Sequence, residues 1–145
     1  MSDYRKILVA VDLSDDSAVV LDKARHLAIA NDAELSMVHV QAPLAVSYAL
    51  DIPSINLADL HSELTEEAHR RLLALGASVD IPASRLHSLI GNPAKEIREL
   101  ARTLGVDLIV TGGHGKHGFD LLLGSTSTGV AHGVSCDLLI VKLPG

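Results

Sequence analysis

The residues best able to do chemistry in this chain lie close together. They are Gly112-Gly-His-Gly115, then Lys116-His-Gly-Phe-Asp-Leu-Leu-Leu123, then Gly124-Ser125-Thr126-Ser127, with five glycines between Thr111 and Gly124. Glycine lets backbone amides approach an anion closely. Ser125 is placed to open a helix, whose first turn has unbonded N–H groups and the positive end of the helix dipole. Such a run can hold the phosphates of a nucleotide mainly through its backbone. It can equally be a loop whose glycines only permit tight turning, and the pattern alone leaves both readings open.

Two better-known phosphate motifs are excluded. Gly113-His-Gly115-Lys-His-Gly118 spells G-x-G-x-x-G, but it follows the fourth strand with too little chain left for a dinucleotide-binding βαβ unit. The acid near the expected distance, Asp137, begins a strand instead of ending one. A P-loop needs Ser or Thr after its lysine to reach magnesium, and Lys116 is followed by His117. His114 and His117 have a spacing that could bring two imidazoles to one metal, but no Cys or carboxylate cluster accompanies them, so no metal site is assigned. His39 and His132 read as structural. No nucleophile is paired locally with a base, His114 being the only candidate near the loop, and no catalytic residue is assigned. Asp12, at the carboxyl end of the first strand, either caps the following turn or reaches a ribose hydroxyl.

These residues need a scaffold to position them. Ile7-Leu-Val-Ala-Val11 is a continuous apolar run, as expected of a central strand covered on both faces. Ser14, with Asp15 and Asp16 after it, predicts a helix start, and Ala18, Leu21, Ala24, Arg25 and Ala28 mark a helix face up to about Asn31, from which Arg25 must reach outward. Glu34 to Val40 is a second strand. Gln41 to Asn56, with Pro43 and Pro53, is a long excursion that either acts as a lid or simply covers one end of the sheet. Leu57, Leu60, Leu64, Ala68, Leu72 and Leu75 predict a second helix stopped by Gly76. Arg85 to Ile90 is a third strand, and Asn92-Pro93 caps a third helix ending at Gly105. Asp107 to Val110 is a fourth strand, Ser125 caps a short helix to about Gly133, and Leu138 to Val141 is the fifth strand. Alternating β and α elements imply right-handed crossovers and a parallel sheet with helices on both faces. Its ligands lie outside the carboxyl ends of the strands.

The chain of 145 residues fits one domain, 1–145, without internal repeats. With 48% apolar but only 2% aromatic residues, its core must be built from Leu, Ile, Val and Ala. A net charge of −6 without a basic stripe argues against nucleic acid. No apolar run reaches the roughly 18 residues that a bilayer requires, and Met1-Ser-Asp-Tyr-Arg-Lys leads directly into a strand, so a cytoplasmic protein is expected. Its single cysteine, Cys136, fits a reducing compartment and reads as buried, not reactive.

Lys6-Ile-Leu-Val-Ala-Val-Asp12-Leu-Ser14, His39-Val40, Asp107-Leu-Ile-Val-Thr-Gly-Gly-His-Gly115, Gly124-Ser125 and Ser135-Cys-Asp-Leu-Leu-Ile-Val141 together resemble the universal stress proteins, along essentially the whole chain. The resemblance implies a single-domain α/β fold, Rossmann-like and similar to the adenine nucleotide alpha hydrolases. Its five-stranded parallel sheet would have the order 3-2-1-4-5, and a homodimer would form through the last strand. It also implies a stress-response regulator, not an enzyme, that binds ATP, with or without Mg2+. By position, Asp12 would lie near the ribose and Val40 would offer backbone to the adenine. Gly112, Gly115, Gly124, Ser125, Thr126 and Ser127 would surround the phosphates. ATP-binding members have nine residues between the second and third of these glycines, whereas this chain has eight, Lys116 to Leu123. The stretch from Leu50 through Arg71 is similar in layout to the branch typified by bacterial universal stress protein A, which does not bind ATP. That branch implies the alternative, a dimeric interaction module without nucleotide.

Overall fold

The computed structural model describes residues 3–43, 57–114, 130 and 133–144. In chain order the elements are β1 (Lys6–Ala10), α1 (Ser17–Asn31), β2 (Glu34–Gln41), α2 (Leu57–Ser78), a 3-10 turn (Ala83–Arg85), β3 (Leu86–Ile90), α3 (Pro93–Leu104), β4 (Leu108–His114) and β5 (Asp137–Leu143). All the strand pairs are parallel, and the order across the sheet is β3-β2-β1-β4-β5, as the resemblance implies.

β1 is central because both of its faces are apolar. Ile7, Leu8 and Val9 are fully buried, and each buried aliphatic side chain of this size contributes about 1.5–3 kcal/mol. Alternation along the strands then divides the core. Ile7, Val9, Met37 and Val110 pack with Val20, Leu21 and Ala24 of α1 and Leu72 of α2. Leu8, Val38 and Ile109 pack with Ala94, Ile97 and Ala101 of α3 and with Val130 on the opposite face. The chain therefore works outward from β1 through β2 to β3, crosses over, and continues on the other side with β4 and β5. The reversal falls between β1 and β4, whose register runs from Ile7 opposite Leu108 to Val9 opposite Val110.

Local chemistry explains the α3 boundaries as expected. The Asn92 carboxamide accepts from the Lys95 amide at 3.0 Å, Pro93 occupies the first turn, and Gly105 ends the helix in the left-handed region at φ 68°. Elsewhere the structure corrects the sequence reading. α1 starts at Ser17, not at Ser14, and its buried stripe is Ser17, Val20, Leu21, Ala24 and Ala28, so Ala18 faces solvent, while Arg25 is exposed as its outward reach requires. α2 runs past Gly76 to Ser78. A Cβ at Gly76 would lie 2.7 Å from both Leu86 methyl groups, so this glycine permits close approach of β3 and does not stop the helix. Leu64 is 42% exposed, although it lies on the apolar spacing of α2. Finally, β4 does not end at Val110 and β5 does not end at Val141. They remain paired through Gly112–Val141 to His114–Leu143. Val130 and Gly133 are helical, while most of the short helix expected from Ser125 lies outside the described residues.

Candidate functional site

The carboxyl ends of β1, β2 and β4 bring together Asp12, the His39–Val40 pair and Gly112–His114 at the strand-order reversal, where a sheet of this type opens a crevice. Asp12 follows Val11, whose amide continues the ladder by donating to the Val38 carbonyl at 3.0 Å. The next residue, Leu13, takes the left-handed conformation at φ 64° with its side chain 7% exposed in the core. This backbone conformation is costly for a branched residue, and burial of the side chain offsets the cost.

That turn folds the chain back on Asp12. Its Oδ1 accepts from the Ser14 amide at 3.0 Å, the Ser14 hydroxyl at 2.6 Å and the Ser17 hydroxyl at 3.1 Å. Partial desolvation pushes the carboxyl pKa up, but these bonds outweigh it and hold the group below its ordinary value. Asp12 thus performs the capping role, tying the end of β1 to the first turn of α1. The three bonds fall on one oxygen of an exposed residue, and Oδ2 takes no hydrogen bond among the described residues. Ser17 was missed in the sequence because its partner lies five residues back, although the spacing Asp12, Ser14, Ser17 is the pattern of an Asx turn leading into a helix.

Val40 is half-buried on β2, paired with Leu89 of β3 and packed toward the α3 face. His39, on the opposite face, carries a buried Nδ1 without a hydrogen-bond partner among the described residues. Burial lowers its pKa, the nearby Asp12 carboxylate opposes that, and the Arg71 charge on α2 adds to it. His39 therefore neighbours Asp12 at the same end of the sheet, which its position in the sequence did not suggest.

Gly112 is a strand residue and not part of a loop. A Cβ there would lie 2.7 Å from Leu143 Cδ1 and 2.9 Å from Val20 Cγ2. The glycine is thus required by the closeness of α1 and β5, independently of any ligand. Gly115, Gly124, Ser125, Thr126 and Ser127, together with His117, lie outside the described residues. Cys136 is half-buried, and burial followed by the Asp137 and Asp107 charges raises its pKa, so it stays a protonated thiol near neutrality. Among the described residues no helix is long and apolar enough to cross a membrane.

Comparison with known proteins agrees with this fold. The universal stress protein family model matches residues 3–142. Universal stress protein A homolog 1 of Coxiella burnetii is 41% identical over 140 residues, covering 95% of this chain and 96% of its own. Among solved structures, the universal stress protein UspA from Lactobacillus plantarum superposes with a TM-score of 0.78 at 24% identity, over 97% of this chain and 99% of the other. A universal stress protein in complex with cAMP superposes with a TM-score of 0.59 at 24% identity, over 97% of this chain and 98% of the other.

Proposed function

The chain belongs to the universal stress protein family, and on that premise we propose that it is a regulator that binds an adenine nucleotide at the carboxyl end of its sheet and acts without catalysing a reaction. The observation that carries this reading is the placement of Asp12. It stands at the strand-order reversal with one carboxylate oxygen committed to the turn and the other without a hydrogen bond among the described residues, directly beside the strand that leads into the glycine-rich segment. His39 Nδ1 nearby, unbonded among the described residues, is a second polar atom suited to a ligand. Asp12 would take the ribose hydroxyls and Val40 backbone the adenine. Gly115, Gly124, Ser125, Thr126 and Ser127 would supply amide and hydroxyl donors to the phosphates, with Mg2+ sharing their charge. A relative by fold holds cAMP, an adenine nucleotide, which is compatible with this assignment. The regulator would work in the cytoplasm as a homodimer paired through β5.

A differential thermal scan with Mg-ATP tests the reading. Ligand at about 100 times its dissociation constant adds about 2.7 kcal/mol, a rise of about 5–10 °C for a domain of this size. Asp12→Ala should diminish that rise. No rise at millimolar ATP, together with protein that purifies free of nucleotide, would refute it.

One observation favours the alternative, a dimeric module without nucleotide. Gly112 is accounted for by packing alone, so one of the six residues assigned to the phosphates persists whether or not phosphate binds. Lengthening the eight-residue segment by one residue between Gly118 and Leu121 separates the two readings. ATP binding that arises only in the lengthened protein supports the module.

A further inference from the structure

Among the described residues, His39 Nδ1 is the buried side-chain polar atom left without a hydrogen-bond partner. In a neutral imidazole this nitrogen is either a donor without an acceptor or an acceptor without a donor. Either state costs free energy once water is excluded, and native interiors keep few such atoms.

The strand register supplies its neighbour. Ala10 stands opposite Val38, and the Val11 amide donates to the Val38 carbonyl at 3.0 Å. The residues that follow on the two strands are Asp12 and His39, which therefore leave adjacent strands at the same end of the sheet. His39 alternates with Leu35 and Met37, whose side chains pack toward α1 and α2. The charges that act on it are Asp12, at the end of β1, and Arg71, on α2; from β3 its register partner is the uncharged Ser88. The two Asp12 oxygens are unequal. Oδ1 accepts from the Ser14 amide, the Ser14 hydroxyl and the Ser17 hydroxyl, whereas Oδ2 takes no hydrogen bond among the described residues.

Protonation changes what His39 requires. An imidazolium donates from both nitrogens, so a proton on the buried Nδ1 has no acceptor among the described residues where the ring stands. Arg71 repels the new charge and Asp12 attracts it. We propose that His39 and Asp12 form a proton-operated switch: neutral His39 leaves Asp12 Oδ2 open to a hydroxyl-bearing ligand, and protonated His39 turns to pair with that oxygen. Asp12 itself keeps its charge throughout. Despite partial desolvation, its bonds to Ser14 and Ser17 hold its carboxyl below the ordinary value, while burial places the His39 transition below 6.5 but among the imidazoles. The consequence for nucleotide rests on the reading that Asp12 takes the ribose hydroxyls. Acid would then weaken binding by competition from within the chain.

The test is an NMR titration of the nucleotide-free, 15N-labelled protein from about pH 8 to about pH 5, following the His39 ring and the Ser14 and Ser17 amides. The amides should move with the His39 midpoint. Asp12→Asn keeps an oxygen to cap the turn but removes the charge, and should lower that midpoint by about one unit. His39→Gln should abolish the amide movement, with His39→Asn in its place if the first variant does not fold. Amides that ignore the His39 midpoint, amides that move equally in His39→Gln, or an unchanged midpoint in folded Asp12→Asn would overturn the proposal. Thermal scans with Mg-ATP over the same range read the consequence. Below the midpoint the parent should lose affinity relative to His39→Gln by up to about ten-fold per pH unit, and the comparison cancels the protonation of ATP itself. Equal loss in both proteins overturns the competition. Coupled titration in the nucleotide-free protein with no thermal rise at any pH supports the switch and refutes the nucleotide reading.

Discussion

Replacing Gly112 with alanine adds one methyl group where the structure has no room for it. The new Cβ would stand 2.7 Å from Leu143 Cδ1, 3.3 Å from Leu143 Cγ and 2.9 Å from Val20 Cγ2. Leu143 is 5% exposed and Val20 3%, so neither side chain can swing into solvent without uncovering core. Overpacking of this kind costs about 1–3 kcal/mol, and the reduced freedom of the unfolded chain returns about 0.4–1 kcal/mol. The net expectation is a loss of about 1–2 kcal/mol, seen as a lower urea midpoint with an unchanged slope, or a fall of about 2–8 °C in Tm. The measurement is made without nucleotide, so a ligand plays no part in it. Leu143→Ala removes the nearest clashing atoms at its own cost of about 2–5 kcal/mol. Combined with Gly112→Ala it should cost about 1 kcal/mol less than the sum of the two single changes. A Gly112→Ala protein as stable as the parent, or strict additivity in the pair, would show that this glycine is not there for packing.

Acidification should destabilise the protein in two windows. His39 and His87 have folded pKa values lowered by burial, so as pH falls the unfolded chain takes up their protons first. The stability they provide is complete above the unfolded value of 6.5 and declines below it, by up to about 1.4 kcal/mol per pH unit for each proton. His87→Gln should flatten the dependence of the urea midpoint between neutral pH and the mid-fives, and an unchanged dependence refutes the assignment. Asp12 and Asp107 are lowered by hydrogen bonds, so their contribution is present above the unfolded value of 3.8 and is lost as pH falls through the lower folded value. Asp107→Asn weakens the bonds that the Arg5 and Lys6 amides donate at 2.7 and 3.0 Å, and should cost about 0.5–1.5 kcal/mol by denaturation at neutral pH. At the outer edge of β5, Ile140→Lys tests the proposed homodimer: the variant should sediment as a folded monomer where the parent sediments as a dimer, and a folded dimer in that variant excludes the edge as the contact. Val141 does not serve for this test, because it is 8% exposed and belongs to the core beneath α1.

Much of this architecture was legible because local chemistry and global fold agree. The Ile7–Val11 run is apolar on both faces, and Asn92-Pro93 and Gly105 mark both ends of α3. What was not legible depended on distant partners. Gly76 and Gly112 each look like breaks in a one-dimensional pattern. Their meaning comes from Leu86 in one case and from Val20 and Leu143 in the other, and nothing near either glycine announces those neighbours. β4 was for the same reason cut short at its glycines, although pairing with β5 holds them in the strand. At the candidate site, Asp12 could be read from its position at a strand end, whereas the proximity of His39 and Arg71 required the folded sheet.

The parallel alignment of β1, β4 and β5 also has a mechanical consequence. Handles attached before Lys6 and after Leu143 would pull on the sheet from opposite ends of parallel strands. The load would run along the strand axes and shear the ladders from Ile7–Leu108 to Val9–Val110 and from Leu108–Asp137 to His114–Leu143. Bonds within a sheared ladder share the load and fail together, whereas bonds in an unzipping hairpin break one after another. This protein should therefore yield abruptly and at higher force when stretched end to end, and gradually and at lower force when β5 is peeled sideways from β4.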